Sequence, residues 1–331
     1  MAELHASGEI DASDRGEPRG PAPLLFVGGT GRSGTHIVAR MVAARNRHYS
    51  LVPVEARFHV DEDGFPGLLA GTVSLERFVE RLRGFWWRGF QTDRMRGLHR
   101  VVPGERFEPA VSRFEQGFEA DPVAACRRLF FDLLQDVKPN APPGAGIVEQ
   151  SCDSVAQART LLRLFPEARF IHVVRDGRDA SASRVSQRGV LVYPRTRRQG
   201  LGWWEQRIRR IDAGARAIPQ ENLLEIELGE LLTGGVSTKR RVRELADFVG
   251  LRSKRGMMRF MRARLNPRAA NEGRWRQGLS ERRRERLGRQ YGEILGSLEA
   301  DGVSCAPLLR AAFERKAFRP ASARVAAAER G

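Results

Sequence analysis

Gly28-Gly29-Thr30-Gly31-Arg32-Ser33-Gly34-Thr35 gathers glycines, one guanidinium and three hydroxyls beside each other in eight residues. Glycines let a backbone come close to an oxyanion, and successive N–H groups in such a turn point at it. The helix that follows has unpaired donors in its first turn, at the positive end of its dipole. Arg32, Ser33 and Thr35 add donors suited to a tetrahedral phosphate or sulfate. Gly29 to Gly34 has nearly Walker A spacing, but Thr35 stands where a nucleoside triphosphatase needs lysine, and the cation has moved to Arg32. The loop therefore reads as a nucleotide-type anion cradle that departs from an NTP site.

A second stretch, Arg175-Asp176-Gly177-Arg178-Asp179-Ala180-Ser181-Ala182-Ser183, puts a guanidinium at a strand end and a hydroxyl about two helical turns later. It suits a second phosphate. It also suits a turn capped by Asp176 or Asp179 with a structural ion pair.

The elements that must position these groups are legible from periodicity. Leu24 to Val27 reads as a strand and Ile37 to Val42 as a helix; Leu51 to Val54 reads as a short strand that delivers Glu55-Ala56-Arg57-Phe58-His59. Ser74 to Trp87 is a helix with Ser74 as N-cap, its Trp86 and Trp87 packing together with Phe90, and Pro122 to Val137 is another. Ile147 to Glu149, Arg169 to Val174 and Leu223 to Ile226 read as strands, with helices over Ala156 to Leu164, from Asp179, over Trp203 to Ile218 and over Arg240 to Val249. Basic helical segments follow to residue 299, ending in a surface helix that frays. Strands alternating with helices predict an α/β chain: a P-loop-like three-layer domain with a mainly parallel sheet and helices on both faces. The expected division is a disordered lead-in over 1–22, a main domain over 23–300 and a basic helix and tail over 301–331.

The 331 residues carry a formal charge of +17, and of 57 basic residues only Lys138, Lys239, Lys254 and Lys316 are lysine. A basic chain favours anionic ligands or surfaces, so association with a membrane surface through basic patches is open. No zinc-finger spacing or RNP motif points to nucleic acid, and the Arg282-Arg283-Arg284 run reads as a solvated helix face. Cys126, Cys152 and Cys305 are few, odd in number and widely spaced, which predicts neither a disulfide framework nor a metal site. With no apolar leader and no span-length run, the expected location is the cytoplasm.

Two anion loops on one sheet suggest a nucleotide with two phosphate-like ends. The chain resembles the sulfotransferases that use 3′-phosphoadenosine 5′-phosphosulfate (PAPS), over roughly residues 23 to 280 and with the motifs in family order. Gly31-Arg32-Ser33-Gly34-Thr35 resembles their 5′-phosphosulfate loop, Arg175 through Ser183 their 3′-phosphate motif, and Gly273-Arg274-Trp275-Arg276 their late Gly-Arg-Trp element. The resemblance implies transfer of a sulfuryl group from PAPS as co-substrate, without metal, to a hydroxyl or amine on a glycan, lipid, peptide or small metabolite. Gly31, Arg32, Ser33, Gly34, Thr35 and His36, with Arg175, Ser183, Arg274 and Trp275, would hold the nucleotide, and Arg32 would also stabilise the leaving phosphate.

Glu55-Ala56-Arg57 is similar to the Glu-x-Arg pair of protein-tyrosine sulfotransferases and their bacterial relatives, which implies Glu55 as general base. The other reading is a plain Glu55–Arg57 ion pair. His36 and His59 are the alternative bases, with His59 expected at the rim. Three positions depart from the family pattern. Gln150-Ser151-Cys152 lacks the usual lysine, Leu228-Gly229 replaces a Tyr-Glu pair at the late strand's end, and Trp203-Trp204 can be core or an adenine platform. Competing readings are a nucleotide-binding protein without turnover and a P-loop kinase-like transferase.

Overall fold

The computed structural model describes residues 22–44, 48–89, 97–138, 141, 144–187, 194–251, 253–265 and 271–317. Five short runs form one sheet: β1 (Leu25–Gly29), β2 (His48–Ser50), β3 (Gly146–Glu149), β4 (Arg169–Val174) and β5 (Leu223–Glu227). Their order is β2-β3-β1-β4-β5, and every pairing is parallel. The central β1 is buried at all five residues and β4 at all but Arg169, as strands covered on both faces must be.

The connections are helical: α1 (Thr35–Val42), α2 (Phe65–Leu69), α3 (Leu75–Arg81), α4 (Gly104–Phe118), α5 (Pro122–Leu134), α6 (Ala158–Leu164), α7 (Gly177–Val185), α8 (Arg197–Ala215), α9 (Leu228–Leu232), α10 (Gly235–Phe248), α11 (Arg255–Arg264), α12 (Glu281–Ala300) and α13 (Ala306–Ala317). Alternation along the strands divides the core. Phe26, Ile147 and Phe170 face the layer containing α4, α5 and α6, while Leu25, Val27, Ile171, Val173 and Ile226 face α1, α10 and α11. A third cluster joins Val174 and Trp204 to Tyr291 and Leu309 beside the sheet. The architecture is the expected three-layer α/β domain, with the strand ends Gly29, Glu149, Val174 and Glu227 on one edge, where parallel sheets open their ligand crevice.

Local signals are met at the helix ends. Ser74 accepts from the Arg77 amide at 3.2 Å and Asp121 from the Ala124 amide at 2.9 Å. Trp86 is buried, and Trp87 stacks on Phe107 with centroids 3.9 Å apart. Phe90, the lead-in to residue 21 and the tail after residue 317 lie outside the described residues.

Two expectations are corrected. The strand near Leu51–Val54 is instead His48–Ser50; Leu51 to Val54 is a turn closed by the Val54 amide on the Leu51 carbonyl at 2.9 Å. Pro53 has no N–H to give a ladder, so pairing stops before it. Glu55 is thus delivered by a turn rather than a strand end. The expected surface helix near the C-terminus packs inward, with Leu309 and Ala312 buried and Arg315 bridging to Glu227 at 2.9 Å. If α13 is part of the core, Leu309→Ala should lower the unfolding free energy by about 2–5 kcal/mol in urea titration; a loss below about 0.5 kcal/mol would make α13 peripheral.

Candidate active site

The loop after β1 rests on a close approach. A Cβ on Gly29 would meet the Val173 carbonyl oxygen at 2.7 Å and collide with Ser33 Oγ, and the Gly29 amide donates to the Cys152 carbonyl at 2.9 Å. Gly34, at φ 102°, turns the chain into α1, whose N-terminus no side chain caps. Ser33 and Thr35 are buried beneath the turn, while Arg32 is exposed and held at φ 64°. A left-handed arginine is sterically disfavoured and persists only where its surroundings fix it.

Contacts across long stretches of sequence do the fixing. Arg32 Nε donates to Ser183 Oγ at 3.0 Å, and Arg175 donates to the Arg32 carbonyl at 2.8 Å and to the Asn271 carbonyl at 3.3 Å. Asp179 accepts from the Gly273 and Trp275 amides at 2.9 and 3.2 Å. Arg197, at the start of α8, donates to the Trp275 and Gln277 carbonyls at 2.9 and 2.6 Å. The loop, the 175–183 motif and the Gly-Arg-Trp element are therefore one constellation. Burial, only partly offset by Asp179 and Asp176, lowers the pKa of Arg175, and Arg274 adds to the effect. Arg274 also acts on Arg197, so three guanidiniums share this end of the cradle.

Within the second motif the two readings of the sequence separate. Asp176 caps α7 through the Arg178 amide at 3.0 Å and pairs with the Arg178 guanidinium at 2.7 Å. That buried pair lies under Trp275, Tyr291 and Phe313 and serves the fold. Arg175 and Ser183 reach the loop.

On the other side of the cradle, Glu55 Oε1 lies 2.8 Å from His36 Nε2, both groups partly exposed. The Glu55–Arg57 pair of the other reading does not form: Arg57, at φ 60°, clasps Asp61 at 2.8 and 3.1 Å, and Trp86 Nε1 donates to the same carboxylate at 2.9 Å. His59 is not at the rim. It is fully buried, with Nε2 2.9 Å from Glu149 Oε2, and it stacks on Phe26. Burial removes it as an alternative base.

Glu149, which no motif singled out, holds this side together. Fully buried at the end of β3, it accepts from the Ser151 amide and hydroxyl at 2.8 and 2.7 Å and from the Ala56 amide at 3.3 Å. Burial alone would raise its pKa, but His59 and Ser151 outweigh it and keep the carboxyl below its ordinary value. Its only sequence signal is a carboxylate ending an apolar strand. Gln150 is also committed: its side-chain amide donates to the Val54 carbonyl at 2.5 Å. Cys152 lies among Asp153, Glu55 and Arg207, and burial with the two carboxylates pushes its thiol up to about 12.

The remaining aromatic candidates belong to the core. Trp275 is 4 % exposed and Trp204 fully buried against Gly177, while Trp203 is partly exposed under Arg184 at 5.3 Å. Leu228 packs on Gly34, and a shallow depression beside it is lined by Arg175, Asp179, Leu228, Gly229 and Glu272, among others. Among the described residues, His172, Glu225 and Cys305 bring ligand-type atoms within 4.8 Å of one another, which sequence spacing does not show. His172 Nδ1 and Ser304 Oγ already meet Glu225 Oε1, at 2.8 and 3.1 Å.

The family model described as the sulfotransferase family matches residues 23–254. No curated protein matches the chain. Among solved structures, the sulfotransferase domain from the Synechococcus PCC 7002 olefin synthase is 16% identical, with 86% of this chain and 97% of that chain covered and a TM-score of 0.48. A sulfotransferase from Alicyclobacillus acidocaldarius is 14% identical over 88% of this chain and 98% of that one, with a TM-score of 0.43. Sulfotransferase STF1 from Mycobacterium tuberculosis H37Rv is 12% identical over 82% and 77%, also at 0.43.

Because the folded pKa of Glu149 lies below its unfolded value, its contribution is complete above about pH 4.3 and is lost as pH falls through the lower folded value. Glu149→Gln should lower stability by about 3–5 kcal/mol at pH 7, by breaking a buried pair. The gap from wild type should narrow in urea titrations below about pH 4. An equal gap at both pH values would mean that the carboxylate charge is irrelevant.

Proposed function

The chain belongs to the sulfotransferase family, and on that premise we propose that it transfers a sulfuryl group from PAPS to a hydroxyl or amine acceptor. The observation that carries this reading is the 3.0 Å contact between Arg32 Nε and Ser183 Oγ, supported by Arg175 on the Arg32 carbonyl. Arg32 and Ser183, 151 positions apart, bring the two candidate anion-binding motifs side by side, as a donor with a 5′-phosphosulfate and a 3′-phosphate requires.

In this reading the amides of Gly31 to His36 and the Arg32 guanidinium bind the 5′ end, with the Ser33 and Thr35 hydroxyls beneath. Arg175, Ser183 and Arg274 bind the 3′-phosphate. Trp275 contributes by anchoring the Gly273–Arg276 element in the core. As the acceptor O–S bond forms, the S–O bond to the departing phosphate breaks and the phosphate keeps the electron pair. Arg32 and the loop amides stabilise that charge, which needs positioning and electrostatics rather than covalent catalysis. Glu55 takes the acceptor proton, and His36 at 2.8 Å fixes the carboxylate's direction. Gln150, bonded to Val54, supplies no charge to the reacting group.

Calorimetric titration with PAP, the desulfated nucleotide, tests the donor. Wild type should bind it without metal, and Arg32→Ala and Arg175→Ala should each weaken binding about ten- to a hundredfold, as loss of a charged hydrogen bond does. Binding of ATP with magnesium but not PAP would instead favour the kinase-like reading. With an acceptor in hand, Glu55→Gln should cut kcat about 10²- to 10⁴-fold with PAP affinity unchanged. PAP binding without turnover on any acceptor would leave a nucleotide-binding protein.

A further inference from the structure

Arg184 follows Ser183 on α7, and Arg207 stands on α8, which packs against it. Adjacent helical residues do not share a face, so Ser183 meets Arg32 while Arg184 turns to α8 and stacks over Trp203 at 5.3 Å. Nε of both arginines is buried, and among the described residues neither Nε has a hydrogen-bond partner. Arg207 pairs with Asp153 at 2.7 Å and lies 3.7 Å from Cys152 Sγ. Arg184 has only the neutral Gln187 side chain, at 3.2 Å, and no carboxylate among the described residues.

The pair therefore holds two guanidiniums against one carboxylate, in a partly desolvated place where an uncompensated charge is costly. Burial, Arg207 and Arg32 together lower the pKa of Arg184, which puts the cluster within electrostatic reach of the donor loop. Cys152 feels both Glu55 and Arg207, so the cluster also borders the proposed base. Resting on the sulfotransferase reading, we propose that Arg184 and Arg207 form an acceptor subsite for an anionic group, a carboxylate or a phosphate ester carried near the accepting hydroxyl. The planar forks suit either oxyanion, and Trp203 backs the Arg184 guanidinium as an aromatic wall.

The test uses PAP-saturated full-length protein titrated with inorganic phosphate and, separately, acetate, read by tryptophan emission. Wild type should saturate, Arg184→Gln and Arg207→Gln should raise the half-saturating concentration at least tenfold, and PAP affinity should change less than twofold. Arg184→Lys, which keeps the charge, should retain part of the binding and exclude misfolding as the cause. A response to acetate at or below the phosphate range identifies a carboxylate acceptor, and a response to phosphate alone a phosphorylated one. An unchanged titration in Arg184→Gln overturns the proposal. So does binding lost only with Arg32→Ala, which assigns the anion to the donor loop, or a parallel tenfold loss of PAP affinity. If wild type fails to bind PAP, the sulfotransferase reading fails, and the same titration on unliganded protein still decides the subsite.

Discussion

Everything around the candidate site depends on how closely the backbone at Gly29 can lie against its neighbours. Its amide reaches the Cys152 carbonyl at 2.9 Å, and the place of its missing Cβ is taken by the Val173 carbonyl and Ser33. That contact sets the loop between the ends of β3 and β4, the two strands that flank β1. From there Gly34 starts α1, Arg32 is thrown outward in a left-handed conformation, and its carbonyl becomes the acceptor for Arg175. A side chain at position 29 would move all of these together.

The two sides of the cradle are held by different physics. On the side of Arg32 and Arg175, guanidiniums and backbone carbonyls form charge-assisted bonds between segments distant in sequence, with Asp179 collecting two amides of the Gly-Arg-Trp element. On the side of Glu55, a single buried carboxylate, Glu149, accepts from His59, Ser151 and Ala56 and so fixes the chain that carries Glu55. A buried charge of this kind is tolerable only when fully hydrogen-bonded, and that requirement gives the 55–61 segment one conformation.

The large basic excess is not spread as a uniform field. Arg178 is locked under three aromatic rings, Arg57 against Asp61, and Arg315 against Glu227, so each serves packing and register. Arg32, Arg175 and Arg274 instead lie near one another beyond the ends of β1 and β4, and Arg184 and Arg207 are within electrostatic reach of Arg32 or of each other. Among the described residues no helix is long and apolar enough to cross a membrane.

The sequence by itself determined the layered α/β plan, the loop after β1 and the placement of an arginine at the end of β4 with a serine two helical turns later. These are local: apolar strand runs, glycine spacing and a helix start are written within ten to twenty residues. It did not reveal α4, whose apolar face (Phe107, Ala110, Val111, Phe114) is interrupted by Pro109, nor the true end of β2, where Pro53 terminates pairing. Tertiary structure alone decided which partner each charged group takes. Glu55 meets His36 rather than Arg57, His59 is buried on Glu149, and α13 closes the core although its sequence looks like a surface helix. Side chains three residues apart and side chains 150 apart compete for the same hydrogen bonds. Only the folded distances, which sequence spacing does not encode, settle which pair forms.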